Sequence, residues 1–248
     1  MPVDPFASLM TLPGVFEAVD ASRAGVDALL KESVLRRRRA EVRAESLRRG
    51  AWASVVLAGR DVSLAAFEAP FPDTDDGRWC AASLRLTTEL RTLSDTWRRA
   101  PLQALARVHA LVASDFVPAD ELGRPRADPE VSTRLAQLSD LLAAPTEGAA
   151  VMVAAVVHGE VLALQPFTWG NDLVARAAQR LVLIERGVDP DALSVPEAGL
   201  LELGRERYST ALAGYTSATP EGVSSWLVHI AGSIARGAAV GRQVCAEW

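Results

Sequence analysis

The chain has 248 residues, 49 % of them apolar, and a formal net charge of −5. That length suits one large helical domain over residues 1–248 with ample core, and the charge argues against a general nucleic-acid binder. No uncharged apolar run is long enough to span a bilayer, because residues 149–164 are interrupted by His158 and Glu160.

The two cysteines, Cys80 and Cys245, have neither metal-ligand nor C-x-x-C spacing and read as free thiols in a reducing compartment. Met1-Pro2-Val3-Asp4 lacks the basic and apolar regions of a signal peptide, so a cytoplasmic protein is expected. Arginine outnumbers lysine 25 to 1 beside abundant alanine, which reads as the codon bias of a GC-rich bacterial genome.

Strand signals are scarce and the Ala, Leu, Arg and Glu content favours helices, so the expected fold is all-α. Residues 4–10 read as a short helix ending before Pro13. Residues 13–50 read as one or two helices, whose run Arg36–Arg39 sits with Glu32, Glu41 and Glu45 on a solvated face of mixed charge. The nearly uncharged 50–59 segment reads as a buried helix or strand closed by Gly59. Residues 68–78 hold Pro70, Pro72, Asp73, Asp75, Asp76 and Gly77 and read as a solvated loop. They lack the length and terminal glutamate of an EF-hand, so no metal site is expected there. Helices are predicted over 79–97 and 101–112, a loop over 115–129, and a helix over 131–142. Pro145 opens a central helix through residue 164. Further helices cover 174–186, 195–203 and 205–215, and a last one opens at Thr219-Pro220-Glu221 and runs toward Val244.

Between the two most apolar helices lies Gln165-Pro166-Phe167-Thr168-Trp169-Gly170-Asn171-Asp172-Leu173-Val174-Ala175-Arg176. Proline, aromatics and a Gly-Asn pair make a tight loop. A loop opening a helix is an anion site in waiting, because the first N–H groups lack partners and the dipole favours negative charge. Arg176 falls one turn into the second helix and can reach back to the loop. The other reading is a plain helical corner, with Asp172 capping the helix and pairing with Arg176 four residues on.

This segment resembles the core motif of the Fic/Doc family, H-P-F-x-D/E-G-N-G-R-x-x-R. Pro166, Phe167, Gly170, Asn171 and Arg176 match in place. Gln165 stands at the catalytic histidine, Trp169 at the metal-binding acid, and Asp172-Leu173 at the Gly-Arg pair. Ser54, Ala58 and Gly59 are similar to the family's inhibitory S-x-x-x-E-G/N motif, with Ala58 at the glutamate that pairs with the last arginine of the core motif. Gly123-Arg124-Pro125-Arg126 resembles the stretch entering the hairpin flap that docks target chains, here shortened or absent. His109, His158 and the pattern Tyr208, Tyr215, Trp226 also fall at family positions, so the resemblance spans about residues 52–240, with residues 1–50 forming N-terminal helices.

The resemblance implies a Fic-like helical fold built on a central helix-loop-helix, and a family chemistry of AMP transfer from ATP with Mg²⁺. There the histidine is the base, the acid holds the metal, and the arginines and anion nest hold the phosphates. Gln165 cannot act as a base, Trp169 offers no metal ligand, Leu173 removes a cation, and Asp172 adds an anion where phosphates would sit. The expectation is therefore a pseudoenzyme for AMP transfer, without metal or ATP as cofactor, binding a small anionic ligand or a protein partner but neither nucleic acid nor membrane. Gly170, Asn171, Arg176 and Trp169 are the candidate binding residues. The alternatives are an enzyme with altered nucleotidyl or phosphate-group transfer, using Asp172 or a histidine from elsewhere such as His109 or His158, and a purely structural partner in a complex.

Overall fold

The computed structural model describes residues 4, 6–144, 146 and 148–248. Among them are ten α-helices, two short 3-10 helices and no strand. The helices are α1 (Val15–Leu30), α2 (Leu35–Leu57), α3 (Asp75–Arg99), α4 (Pro101–Ala113), α5 (Pro129–Ala143), α6 (Ala150–Leu164), α7 (Asn171–Glu185), α8 (Pro196–Leu203), α9 (Arg205–Thr216) and α10 (Pro220–Ala246). None is long and apolar enough to cross a membrane.

α6 is buried on nearly every side, from Val151 to Leu164, as its unbroken apolar sequence requires. It packs against α7 and under α10, and α10 also carries α1, α8 and α9. α3 bridges α2, α4 and α7. One continuous apolar cluster runs from Phe6 to Cys245 and takes in residues of all ten helices. Where the segment leading into α8 crosses α10, glycine makes the room. A side chain at Gly237 would meet the Val195 carbonyl at 2.6 Å, and one at Gly241 the Leu193 carbonyl at 2.6 Å.

Several element boundaries differ from expectation, each for a local reason. The first helix is a 3-10 turn, Ala7–Thr11, held from below where Asp4 accepts from the Phe6 N–H and the Thr146 hydroxyl. Gly50 does not end a helix; α2 runs through it to Leu57, so the 50–59 segment is helix and not strand. The helix bends at Arg38 (φ −124°), inside the basic run. α3 begins at Asp75 and not at Trp79. Thr74 caps the Gly77 N–H at 3.1 Å, and Asp75 and Asp76 sit in the first turn, where the dipole favours them. The predicted loop of acids is thus partly a helix start. α5 begins at Pro129, capped by Asp128, and α7 begins at Asn171. Pro145, the expected start of the central helix, lies outside the described residues, and α6 starts at Ala150. After Val112 and Gly123 the chain enters α5 without a hairpin flap among the described residues.

Candidate functional site

The α6–α7 corner is a closed structure. Gln165 ends α6 in the left-handed conformation (φ 46°) with its side chain exposed. The carbonyls that the helix end leaves free are collected by Arg126. Its backbone N–H donates to Pro166 O at 2.8 Å, Nε to Gln165 O at 2.9 Å, and a guanidinium N–H to Leu164 O at 3.3 Å. The Gly123–Arg126 stretch therefore serves here as a clamp on the loop.

Asn171 spends its side chain on the same loop. Its Oδ1 accepts from the Phe167 N–H at 2.9 Å, and its Nδ2 donates to Phe167 O at 2.8 Å. Gly170 makes the turn into α7 at φ 72°, which disfavours any side chain there. Thr168 donates to Glu121 at 2.8 Å. Trp169 lies flat on Phe116, ring centroids 4.1 Å apart, and against Trp79 at 4.7 Å. Arg60 sits over the Trp79 ring at 5.1 Å. The indole is thus engaged by the protein's own aromatics. His109 stacks on Phe167 at 4.2 Å, nearly parallel, and its Nδ1 accepts from the Gly123 N–H at 2.9 Å.

Arg176 is 3 % exposed. It donates to Asp172 at 2.8 Å, to the Ser54 hydroxyl at 3.2 Å and to the Ser54 carbonyl at 3.2 Å. Burial works against its charge, but Asp172 more than offsets this and the guanidinium pKa is raised. Ser54 is buried in α2, Ala58 caps the end of that helix, and Gly59 follows at φ 95°. The two segments that resemble family motifs, about 120 residues apart in sequence, therefore meet at this guanidinium. Ala58 offers Arg176 no carboxylate, and Asp172 supplies one from within α7.

Behind Arg176 lies a buried polar chain that the sequence did not reveal. His158 contacts Gln179 Oε1 through Nδ1, and its Nε2 lies 2.7 Å from the Tyr208 hydroxyl. Since Gln179 Oε1 only accepts, Nδ1 carries the proton and Nε2 accepts from Tyr208. Burial pushes the His158 pKa down to about 3, with Arg176 and His229 adding to the effect and the Gln179 bond opposing it. The tyrosine is driven up by its own burial. A histidine held neutral in the fold binds a proton only on unfolding. Its contribution is complete above pH 6.5, the ordinary value, and falls as pH drops below it. Between pH 6.5 and 5, where carboxylates still titrate little, stability is expected to fall by up to about 1.4 kcal/mol per pH unit on this account. Urea melts of wild type and His158→Gln across that range check it. The variant starts less stable and should show a shallower slope; equal slopes would show that His158 does not titrate on unfolding.

An all-helical domain, with a central helix-loop-helix whose corner is braced by an arginine on its second helix, defines the class of protein. Solved structures carry the assignment further. A Fic family protein from Desulfovibrio desulfuricans G20 superposes with a TM-score of 0.74 at 18 % identity, over 91 % of this chain and 74 % of that one. Fic-1 from C. elegans gives 0.67 at 17 %, over 92 % and 73 %. A Fic-domain signalling protein from Bacteroides thetaiotaomicron VPI-5482 gives 0.63 at 12 %, over 93 % and 98 %. The chain has the Fic fold. No protein-family model and no curated protein matches its sequence.

Proposed function

We propose that this Fic-fold chain does not transfer AMP and acts as a pseudoenzyme that binds a small anionic ligand or a protein partner. One observation carries the loss of AMP transfer: Arg176, the phosphate-binding arginine that the resemblance retains, is buried and neutralised by Asp172 within its own helix. A guanidinium that is itself buried and held by Asp172 and by both Ser54 oxygens is not free to meet a nucleotide phosphate.

The rest of the corner agrees. Gln165 has no titratable nitrogen, and losing a positioned base costs about 10²–10⁴-fold in rate. Trp169, at the position of the family's acid, offers no metal ligand. Asp172 adds a negative charge at the start of α7. The residues present thus do not fit an ATP–Mg²⁺ complex in the family's manner. Altered catalysis through Asp172 would need a histidine beside it, but its hydrogen-bond partner is Arg176, while His109 and His158 are bound elsewhere.

Radiolabelled ATP with Mg²⁺ or Mn²⁺ tests the proposal. Wild type should label neither itself nor protein targets, with a Gln165→His/Trp169→Asp/Asp172→Gly/Leu173→Arg variant run beside it. Robust labelling by wild type would end the reading.

A further inference from the structure

If the corner is filled, an anionic ligand needs another cradle, and α9 and α10 flank an open groove. A cavity of about 700 Å³ opens between them. Ser225, His229, Gly232 and Arg236 follow one another at helical spacing along the α10 wall, and Arg207 and Thr210 face them from α9.

Gly232 is the informative residue. Its φ is not positive, and an added methyl would meet only Leu203 Cδ1, at the ordinary distance of 3.8 Å. Gly199, Gly237 and Gly241 differ, since each meets neighbouring backbone. Neither conformation nor packing demands glycine at 232, yet glycine is a costly residue inside a helix. What its missing side chain provides is open space in the cavity wall.

The charges beside that space are poorly compensated. Arg207 has no carboxylate partner among the described residues, and Arg236 reaches Glu202 only at 3.8 Å, with both side chains about half exposed. Glu206 is the one acid in the lining. His229 stacks on Tyr208 at 6.0 Å and lines the groove with its ring.

We propose that the α9–α10 cavity is a binding site for a small phosphate-bearing ligand, gripped by Arg207 and Arg236 with the Ser225 and Thr210 hydroxyls and the His229 ring beside it. Guanidinium forks from two walls match phosphate geometry. The inference stands independently of whether the α6–α7 corner retains any chemistry.

The test is titration of the whole chain with inorganic phosphate at constant ionic strength, followed by long-range ¹H–¹⁵N correlations of the histidine rings. His229 should shift saturably with phosphate and not with chloride. Arg207→Gln/Arg236→Gln should weaken binding at least tenfold. Gly232→Leu should block it, while Gly232→Ala should melt no lower than wild type. Should Gly232→Leu fail to fold, the double glutamine variant, altered only at exposed side chains, still decides. The proposal is overturned if His229 shows no saturable shift, if chloride shifts it equally, or if the glutamine variant binds like wild type. It is equally overturned if Arg176→Met abolishes binding that Arg207→Gln/Arg236→Gln leaves intact, since the anion would then sit in the corner.

Discussion

Replacing Glu197 with alanine is expected to destabilise the protein by about 3–5 kcal/mol, because it leaves a guanidinium buried without a counter-charge. Glu197 and Arg180 are 5 % and 3 % exposed and form a two-pronged pair, both bonds 2.7 Å. The pair joins α7 to the first turn of α8. It lies against Gly50, where a side chain would meet the Arg180 guanidinium at 2.6 Å and Glu197 at 3.1 Å. Burial alone would depress the arginine pKa, but Glu197 keeps it raised. In a chain of this size each kcal/mol moves the melting temperature by roughly 2–4 °C, so Glu197→Ala should melt roughly 6–20 °C lower. An Arg180→Leu/Glu197→Leu double variant should recover much of the loss, since apolar residues of similar volume often match a buried ion pair. Calorimetry on the three proteins decides the matter. A Glu197→Ala variant melting within a degree or two of wild type would mean that water reaches Arg180 and the pair is not sealed.

That pair illustrates what the sequence could and could not convey. Apolar periodicity marks α6 and α7 as central, and Pro166 with Gly170-Asn171 marks the turn between them, because these are local properties of backbone and solvent. The Asp172–Arg176 pair is legible for the same reason: four residues on a helix fix the neighbours. Gly50, Arg180 and Glu197 carry no such signature. Read alone, Gly50 looks like a helix end; it is a notch for a side chain 130 residues away. The aromatic group of Trp79, Phe116 and Trp169 draws on three segments with no spacing rule between them. Arg126 looked like the entry to a flap and proves to be the cap of α6, because carbonyl demand at a helix end is visible only once the end is placed. Thr74 was within reach, since Thr followed by two acids is a helix-start pattern, but the prolines beside it pointed to a loop.

Two substitutions separate a fossil of phosphate binding from a structural brace at Arg176. The two partners are not equally exposed: Arg176 is 3 % exposed and Asp172 34 %. Removing the carboxylate strands a charge inside the protein, whereas removing the guanidinium strands one that water can reach. Asp172→Ala should therefore cost about 2–4 kcal/mol, near the range for an uncompensated buried charge and moderated by the two bonds to Ser54 that remain. Arg176→Met keeps most of the buried volume and should cost only about 1–2 kcal/mol, the loss of charge-assisted hydrogen bonds. The double variant Asp172→Ala/Arg176→Met should be more stable than Asp172→Ala alone, a reversal that only direct coupling produces. A functional site predicts the opposite ordering, because a cation kept for a ligand gains when its internal competitor is removed. Asp172→Ala would then be mild and would acquire a thermal shift with ATP or pyrophosphate that wild type lacks. Urea melts of the three variants, with and without nucleotide, read both quantities at once. A stable Asp172→Ala that now binds pyrophosphate would show that Asp172 holds the arginine in reserve, and that the corner is a gated site.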